Sequence, residues 1–393
     1  DDVVPEINNY NENQIREILN NWKTLGFAGA KIDFFDGDAQ NVMQKEEMIL
    51  RVAADLHMMI NFHGCTKPTG LRRTYPNLIT SEAVYGGEQY FFNHLATPAN
   101  HNVTLALTRN VIGPMDYTPT EFARKDGVIR HTTTWSHQTA LATIYESGIQ
   151  TMSDSHYNVV YNIVAPLLKV LPAAWDETQC IEASPDEYVT IARRSGDDWY
   201  IGSISKDAHT LSLPLSFLGD GNYTAQFYTD GTCPSDIQYK EQQVDKTTSI
   251  DLSVKATGGM TVRISKNPIK QPKFIVAEAE DGIRSSGSTL ETDNNGNCSG
   301  GKFIGFLGKG NTLTNTVTVD KAGKYNLTVF FITQDTRNCY ISVNNVNKTY
   351  YSFPGNGFSW GSDGLAFKTV QIDLNEGENK IVLGNDNDNC PNI

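Results

Sequence analysis

Apolar residues recur at helical spacing through Ile15, Ile18, Leu19, Trp22 and Leu25, and Gly26 stands where a helix is normally stopped. The run FAGAKIDFF then reads as a buried strand, and NVMQKEEMILRVAADL as a helix with Val42, Ile49, Val52, Ala53 and Leu56 on one face. MMINF and LITSEA follow as two further buried strands. VTLALTRNVIG is expected to form a strand, WSHQTALATIYESG a helix, IQTMS a strand and HYNVVYNIVAPLLKVLP a closing helix. Such alternation signals a parallel sheet with crossover helices. It supplies about five strand-helix units where a closed (β/α)8 barrel takes eight. Residues 1–174 are therefore predicted to be the C-terminal part of a (β/α)8 barrel, and a further N-terminal region of the same protein is expected.

Near Trp175 the period changes. YVTIARR, DWYIGSIS, HTLSLPLSF, YTAQFYTD, TSIDLSV and MTVRISK alternate apolar and polar residues between Gly, Asp and Asn turns, which predicts an antiparallel all-β domain over 175–268. NPIKQPK reads as a linker. Over 269–393, FIVAEAEDG, GGKFIGFLGKGNTLTNTVTV, AGKYNLTVFFIT, NCYISVNN, FKTVQIDL and NKIVLGND fall at the spacing of a β-sandwich.

Charge and composition narrow the classes. The formal net charge is -13 and the lysines and arginines are scattered, so there is no basic stripe for nucleic acid. No apolar run is long enough to span a bilayer. Six cysteines lack zinc-site spacing, and a disulfide among Cys298, Cys339 and Cys390 would suit an exported protein. Asn-x-Ser/Thr sites begin at Asn102, Asn222, Asn297, Asn326 and Asn347. Asp1 is expected to follow a removed segment, and an exported location, periplasmic or extracellular, is expected.

Candidate chemistry gathers where the predicted strands end. KIDFF ends on Asp33, MINFHG on His63, and LITSEAVYGGE brings Glu82 and Glu88. Barrel active sites lie at that rim. Glycoside hydrolysis takes two carboxyl groups, about 5 to 5.5 Å apart for direct attack and about 6.5 to 9.5 Å apart when a water intervenes. Lys31, two residues before Asp33, points to the same face and is a candidate substrate contact. His63 is either a core histidine or a sugar-hydroxyl ligand. Glu82 is either a metal ligand or an ion-pair partner of Arg72 or Arg73. Asp116, at another strand end, is a weaker candidate for a sugar hydroxyl, and Lys67 reads as a loop cation. Asp36 and Asp38 are expected to cap the next helix.

The run FHGCTKPTGLRRTYPNLITSEAVYGGE, preceded by AKIDFF, resembles glycoside hydrolase family 97 over roughly residues 10 to 265. The resemblance implies a choice between two subgroups. Inverting α-glucosidases of the family carry a glutamate directly after the FH histidine, where this chain has Gly64. Retaining members, α-galactosidases among them, carry an aspartate nucleophile at the position of Asp33. It therefore implies a retaining double displacement with Asp33 as nucleophile and Glu88 as acid/base, the latter expected to need a raised pKa. It further implies a calcium ion beside the site, held by Glu82 and Glu88, with one more ligand from an amino-terminal β domain. An oligosaccharide or polysaccharide ending in α-galactose is the expected substrate. The alternatives are an inverting α-glucosidase and a glycan-binding protein without catalysis.

AEAEDG, GFLGKGN and AGKYNLTVFF resemble carbohydrate-binding modules of families 6 and 35. That resemblance implies a structural calcium at Glu278 and Glu280, completed by Asp386 or Asp388. Trp360 and Tyr351 are candidates for stacking on a sugar ring.

Overall fold

The computed structural model describes residues 10–35, 37–92, 96–124, 127–129 and 132–393. Helix α1 (Glu12–Thr24) opens on a capping box: the Gln14 amide donates to the Asn11 side chain at 3.1 Å, and the Asn11 amide donates to the Gln14 side chain at 2.9 Å. Two amides that the helix leaves over are thereby satisfied. Gly26 follows at φ +93, the left-handed turn the pattern called for.

Strands β1 (Gly29–Ile32), β2 (Met59–Phe62) and β3 (Leu78–Ser81) form a parallel sheet in that order. Parallel pairing follows from the connections, since α2 (Gln40–Asp55) joins β1 to β2 and the segment holding α3 (Leu71–Thr74) joins β2 to β3. Ile15 and Leu19 of α1 and Ile49, Leu50, Val52 and Ala53 of α2 close over Ile32, Ile60 and Phe62. Register decides what happens at the rim. Ile32 lies opposite Phe62, Phe62 opposite Ser81, and Ser81 forms a parallel bridge to Met115. The next residue in each segment is Asp33, His63, Glu82 and Asp116, so one row of pairing brings four polar side chains to one edge.

Three parts of the barrel reading differ from expectation. VTLALTRNVIG is not a strand: after the short helix α4 (Glu88–Phe91) it contributes to α5 (Ala99–Leu107) and a 3-10 turn at Arg109–Val111. Its β-branched residues suggested a strand, yet Asn102, Val103, Leu105 and Ala106 bury at helical spacing, and Thr104 and Thr108 bond back to carbonyls four residues earlier. IQTMS adopts no strand. The closing helix is two short ones, α7 (His156–Val160) and α8 (Ala165–Val170), the second with a proline in its first turn. Helix α6 (Trp135–Ile144) forms as expected and is buried along its whole length.

The second unit holds β4 (Glu177–Ser184), β5 (Tyr188–Ser195), β6 (Asp198–Ser205), β7 (His209–Pro214), β8 (Tyr223–Asp230), β9 (Ile237–Val244), β10 (Ser249–Val254) and β11 (Gly259–Ser265). Six of these make an antiparallel sheet, β4-β5-β6-β11-β8-β9, and β7 pairs with β10. Ala140, Leu141 and Ile144 of α6 pack on Val189, Ile191 and Ile204, which joins this sheet to the first unit.

The last unit holds β12 (Ile283–Arg284), β13 (Thr289–Thr292), β14 (Lys302–Gly305), β15 (Thr312–Val319), β16 (Gly323–Ile332), β17 (Arg337–Val343), β18 (Val346–Phe353), β19 (Leu365–Leu374) and β20 (Gly377–Gly384). A five-stranded antiparallel sheet, β12-β15-β20-β17-β18, shares one core with the β16–β19 pair, through Leu313, Ile341 and Leu383 on one side and Phe331, Val370 and Ile372 on the other. FIVAEAEDG forms no strand and ends in a 3-10 turn at Ala279–Asp281. Val276 is 79% exposed, so the apolar run there is not matched by a partner strand. No helix among the described residues is long and apolar enough to cross a membrane.

Candidate active site

His63 is the centre of the rim. It is 4% exposed, and both ring nitrogens face acids: Nδ1 lies 3.2 Å from Asp116 Oδ2, while Nε2 lies 2.9 Å from Glu88 Oε2 and 3.2 Å from Glu82 Oε1. Burial alone would lower the imidazole pKa. The hydrogen bonds with Asp116 and Glu88, aided by the charge of Glu82, outweigh it and raise His63 to about 10. The ring is thus an imidazolium that donates in both directions.

Each acid is set differently by this arrangement. The hydrogen bond from His63 holds Glu88 below the ordinary glutamate value, against the pull of burial. The raised pKa expected for Glu88 is therefore not what the structure shows, because its nearest partner is a cation. Burial raises Glu82 instead, and the charges of Glu88 and Asp33 add to that. Burial also acts to raise Asp116, but His63, Lys31 and Asn61 together bring it below its ordinary value.

Asp116 is buried, and three donors converge on its Oδ2: Asn61 Nδ2 at 2.8 Å, Lys31 Nζ at 2.9 Å and His63 Nδ1 at 3.2 Å. A carboxylate so enclosed orients Lys31 and His63 through Oδ2, while its buried Oδ1 has no hydrogen-bond partner among the described residues. Lys31 has its ammonium fixed on Asp116.

Asp33 is half-buried, with its own next amide, Phe34 N, donating to Oδ1 at 2.6 Å. Gly64 lies against it: a Cβ at residue 64 would stand 2.5 Å from Asp33 Oδ1. The Gly64 amide donates to Glu82 Oε2 at 2.6 Å, so Glu82 is anchored by a backbone donor and His63 and not by Arg72 or Arg73. Glu88 opens α4, where its amide donates to Thr118 Oγ1 at 3.1 Å.

Arg109 has no signal in the sequence, because it falls in the segment read as a strand. Its buried guanidinium donates to the carbonyls of Ser81 at 2.8 Å, Glu82 at 2.9 Å and Gly113 at 3.1 Å, tying the end of β3 to the approach to Asp116. Burial lowers it to about 10, so it stays charged at neutral pH.

His63 Nε2 and carboxylate oxygens of Glu82 and Glu88 lie within 4.8 Å of one another, the one such group among the described residues, but an imidazolium has no lone pair to give, so the two carboxylates are the available ligands. Two converging carboxylates fit a hard cation. Lys67 stands apart from this cluster, on a cavity shared with Glu46 and Arg72. Asp38 is exposed and does not cap α2, which has no side-chain cap; Asp36 lies outside the described residues.

In the last unit the expected ligands Glu278, Glu280 and Asp386 or Asp388 form no converging group of three among the described residues. Glu278 accepts from Ser299 Oγ at 2.7 Å, Glu280 lies against Gly300, and Asp386 pairs with Lys348 at 2.6 Å. Asp386 is engaged by a lysine, which is the physical reason it does not join the two glutamates. Trp360 is half-buried with the Arg337 guanidinium 4.1 Å from its ring centre, and Tyr351 packs on the core.

Two family descriptions match the chain: Glycoside hydrolase 97 over residues 3–84, and Glycosyl-hydrolase 97 C-terminal, oligomerisation, over residues 174–265. Among curated proteins, a probable retaining alpha-galactosidase of Streptomyces bingchenggensis is 36% identical over 236 residues, 60% of this chain and 36% of that protein. The retaining alpha-galactosidase of Bacteroides thetaiotaomicron is 27% identical over 275 residues, 64% of this chain and 40% of that protein. Among solved structures, a glycoside hydrolase family 97 enzyme of a Pseudoalteromonas species in complex with acarbose aligns with TM-score 0.59 and 26% identity, over 64% of this chain and 44% of that one. A beta-arabinopyranosidase aligns with TM-score 0.55 and 30% identity, over 64% and 42%. The chain thus spans less than half the length of each of these relatives.

Proposed function

Because the chain belongs to glycoside hydrolase family 97, we propose that it serves the removal of terminal α-linked galactose from an oligosaccharide or polysaccharide, with retention at C1. Asp33 is the nucleophile and Glu88 the acid/base. One observation supports this reading: a side chain on residue 64 would start 2.5 Å from Asp33 Oδ1, so the Asp33 carboxylate leaves no room for a glutamate at the position where the inverting members carry their base.

In the first step an Asp33 oxygen bonds to C1 as the glycosidic bond breaks, and Glu88 passes a proton to the leaving oxygen. The proton shared along the 2.9 Å hydrogen bond between His63 and Glu88 is the one transferred. In the second step Glu88 takes a proton from water, which attacks C1 and frees Asp33. Lys31, held by Asp116 with its side chain partly exposed, is placed to meet a sugar hydroxyl, whereas both ring nitrogens of His63 are taken up by Asp116, Glu82 and Glu88.

Calcium would be held by Glu82 and Glu88, whose carboxylate oxygens lie within 4.8 Å of each other and are the hard donors such an ion takes. Bound there, it would supply positive charge that orients the reacting sugar. The first unit is read as part of a (β/α)8 barrel, the last as a carbohydrate-binding module with Trp360 as its sugar platform, and the protein as exported. All six cysteines are free, so the disulfide expected among Cys298, Cys339 and Cys390 is not formed and export rests on the family resemblance alone.

The resemblance to a beta-arabinopyranosidase supports a second substrate. L-Arabinopyranose keeps the ring hydroxyls of galactose and lacks its hydroxymethyl group, so comparing aryl α-galactoside with aryl β-L-arabinopyranoside separates the two.

The decisive test is Asp33→Ala in the full-length protein with added azide. Recovery of turnover with an inverted glycosyl azide is expected. No recovery, or an inverted product from the wild type by NMR, would overturn the retaining assignment.

A further inference from the structure

We propose that the C-terminal unit is a supporting wall of the catalytic rim and not a freely tethered appendage, its β16–β19 sheet holding the segment on which the Glu88 helix rests. The activity arm of the test relies on the glycosidase reading above; the exchange arm does not.

The path is short. Tyr90, two residues after Glu88 in α4 and 2% exposed, donates from its hydroxyl to the Val128 carbonyl at 3.2 Å. Val128 forms an antiparallel bridge with Ala366, and the Ile129 amide donates to the Leu365 carbonyl at 2.7 Å. Segment 128–129 therefore extends the edge of β19 as an added strand would, supplying backbone partners that the two-stranded sheet otherwise lacks there. Side chains seal the same seam. Trp135, at the start of α6, sits 6.0 Å from Phe330 and 5.6 Å from Phe367 between ring centres, and its Nε1 donates to the Phe122 carbonyl at 2.9 Å.

A short helix of four residues such as α4 has little stability of its own. Its position is set by what it touches, and one of its contacts reaches the C-terminal unit through a single carbonyl. Separating the unit from Val128 would let Glu88 drift from Asp33, and a displacement of about 1 Å in a catalytic group lowers turnover by up to about 10²-fold.

The test uses the full-length protein with Phe330→Ala and Phe367→Ala together, Tyr90→Phe, all three changes combined, and Val346→Ala as a control. Val346 is 64% exposed on β18 and outside the seam. Expected for the double variant are a roughly tenfold fall in kcat on a small aryl α-galactoside with KM little changed, and faster hydrogen exchange at the Ile129 amide while β15 and β20 stay protected. Tyr90→Phe should lower kcat without disturbing the C-terminal unit, and the combined variant should lose less than the two effects added. Val346→Ala should match the wild type. Wild-type kcat and unchanged Ile129 exchange in the double variant would overturn the proposal, as would full additivity with Tyr90→Phe. Should the wild type not turn over the aryl α-galactoside, the substrate reading fails and Ile129 exchange alone decides.

Discussion

Asp33 is accommodated because residue 64 is glycine: a Cβ at residue 64 would lie 2.5 Å from Asp33 Oδ1 and 3.0 Å from the Phe34 amide nitrogen. Carbon and oxygen do not approach so closely, so a carboxylate at the end of β1 and a side chain at the end of β2 compete for one volume. Gly64 also sits at φ +54, where a side chain adds strain.

Gly64→Ala therefore pushes the Asp33 carboxylate aside with a single methyl group. Its kcat should fall by about 10²-fold, the scale of a roughly 1 Å misplacement. The stability cost should stay near 1–2 kcal/mol, the scale of one strained residue. Steady-state kinetics beside a thermal melt check both. A variant that keeps wild-type kcat would show that the Asp33 position is not what the reaction uses.

Chelation addresses the ion proposed between Glu82 and Glu88. In EDTA the melting temperature and turnover should both drop, and calcium should restore them. An ion at a hundred times its Kd contributes about 2.7 kcal/mol to the folded state. Glu82→Gln should shift the calcium titration to higher concentration, because it removes a full charge from the donor set while the Gly64 amide still has an oxygen to meet. Indifference of the melt to both EDTA and calcium would remove the ion from this account.

How much of this was legible beforehand depended on where each residue lies relative to the pairing. Asp33, His63 and Glu82 were readable because each directly follows a short apolar run, and equal register turns equal position in the run into proximity. Asn61 and Arg109 were not. Asn61 sits inside an apolar strand, its partner Asp116 being 55 residues away, and only the fold brings the two together. Arg109 follows a segment whose valine and threonines imitate a strand until burial selects the helix. Asp386 shows the opposite failure: a plausible ligand by family pattern is taken by Lys348 across a neighbouring strand.

Glu121 gives a pH dependence of defined sign. It is fully buried, and burial with the nearby charge of Asp154 raises it to about 9, outweighing hydrogen bonding from Ser153 and the Phe91 backbone that acts to lower it. A raised carboxyl binds its proton more tightly folded than unfolded. Its contribution thus favours folding least at high pH, and stability declines as pH climbs from the ordinary glutamate value to about 9. Glu121→Gln keeps the shape of the neutral acid and should flatten that decline, adding about 1–3 kcal/mol at pH 7. Denaturant unfolding at pH 5, 7 and 9 reads it out. Parallel wild-type and variant curves would mean that Glu121 is ionised in the folded protein.

Arg109 separates a structural from a positioning role at the rim. Its guanidinium meets the carbonyls of Ser81, Glu82 and Gly113 at once, a fork that a lysine ammonium does not reproduce. Arg109→Lys leaves buried carbonyls short of donors, each worth about 1–3 kcal/mol, so a clear drop in melting temperature is expected on any reading. The informative measurement is made well below that lower melting point, where the variant is folded. There, a positioning role predicts a reduced kcat and weaker calcium binding together, because Glu82 shares its carbonyl with the fork. A folded variant with wild-type kcat and calcium affinity would make Arg109 a support of the fold alone. It would also mean that Glu82 and Asp116 are held by His63 and the Gly64 amide without help from below.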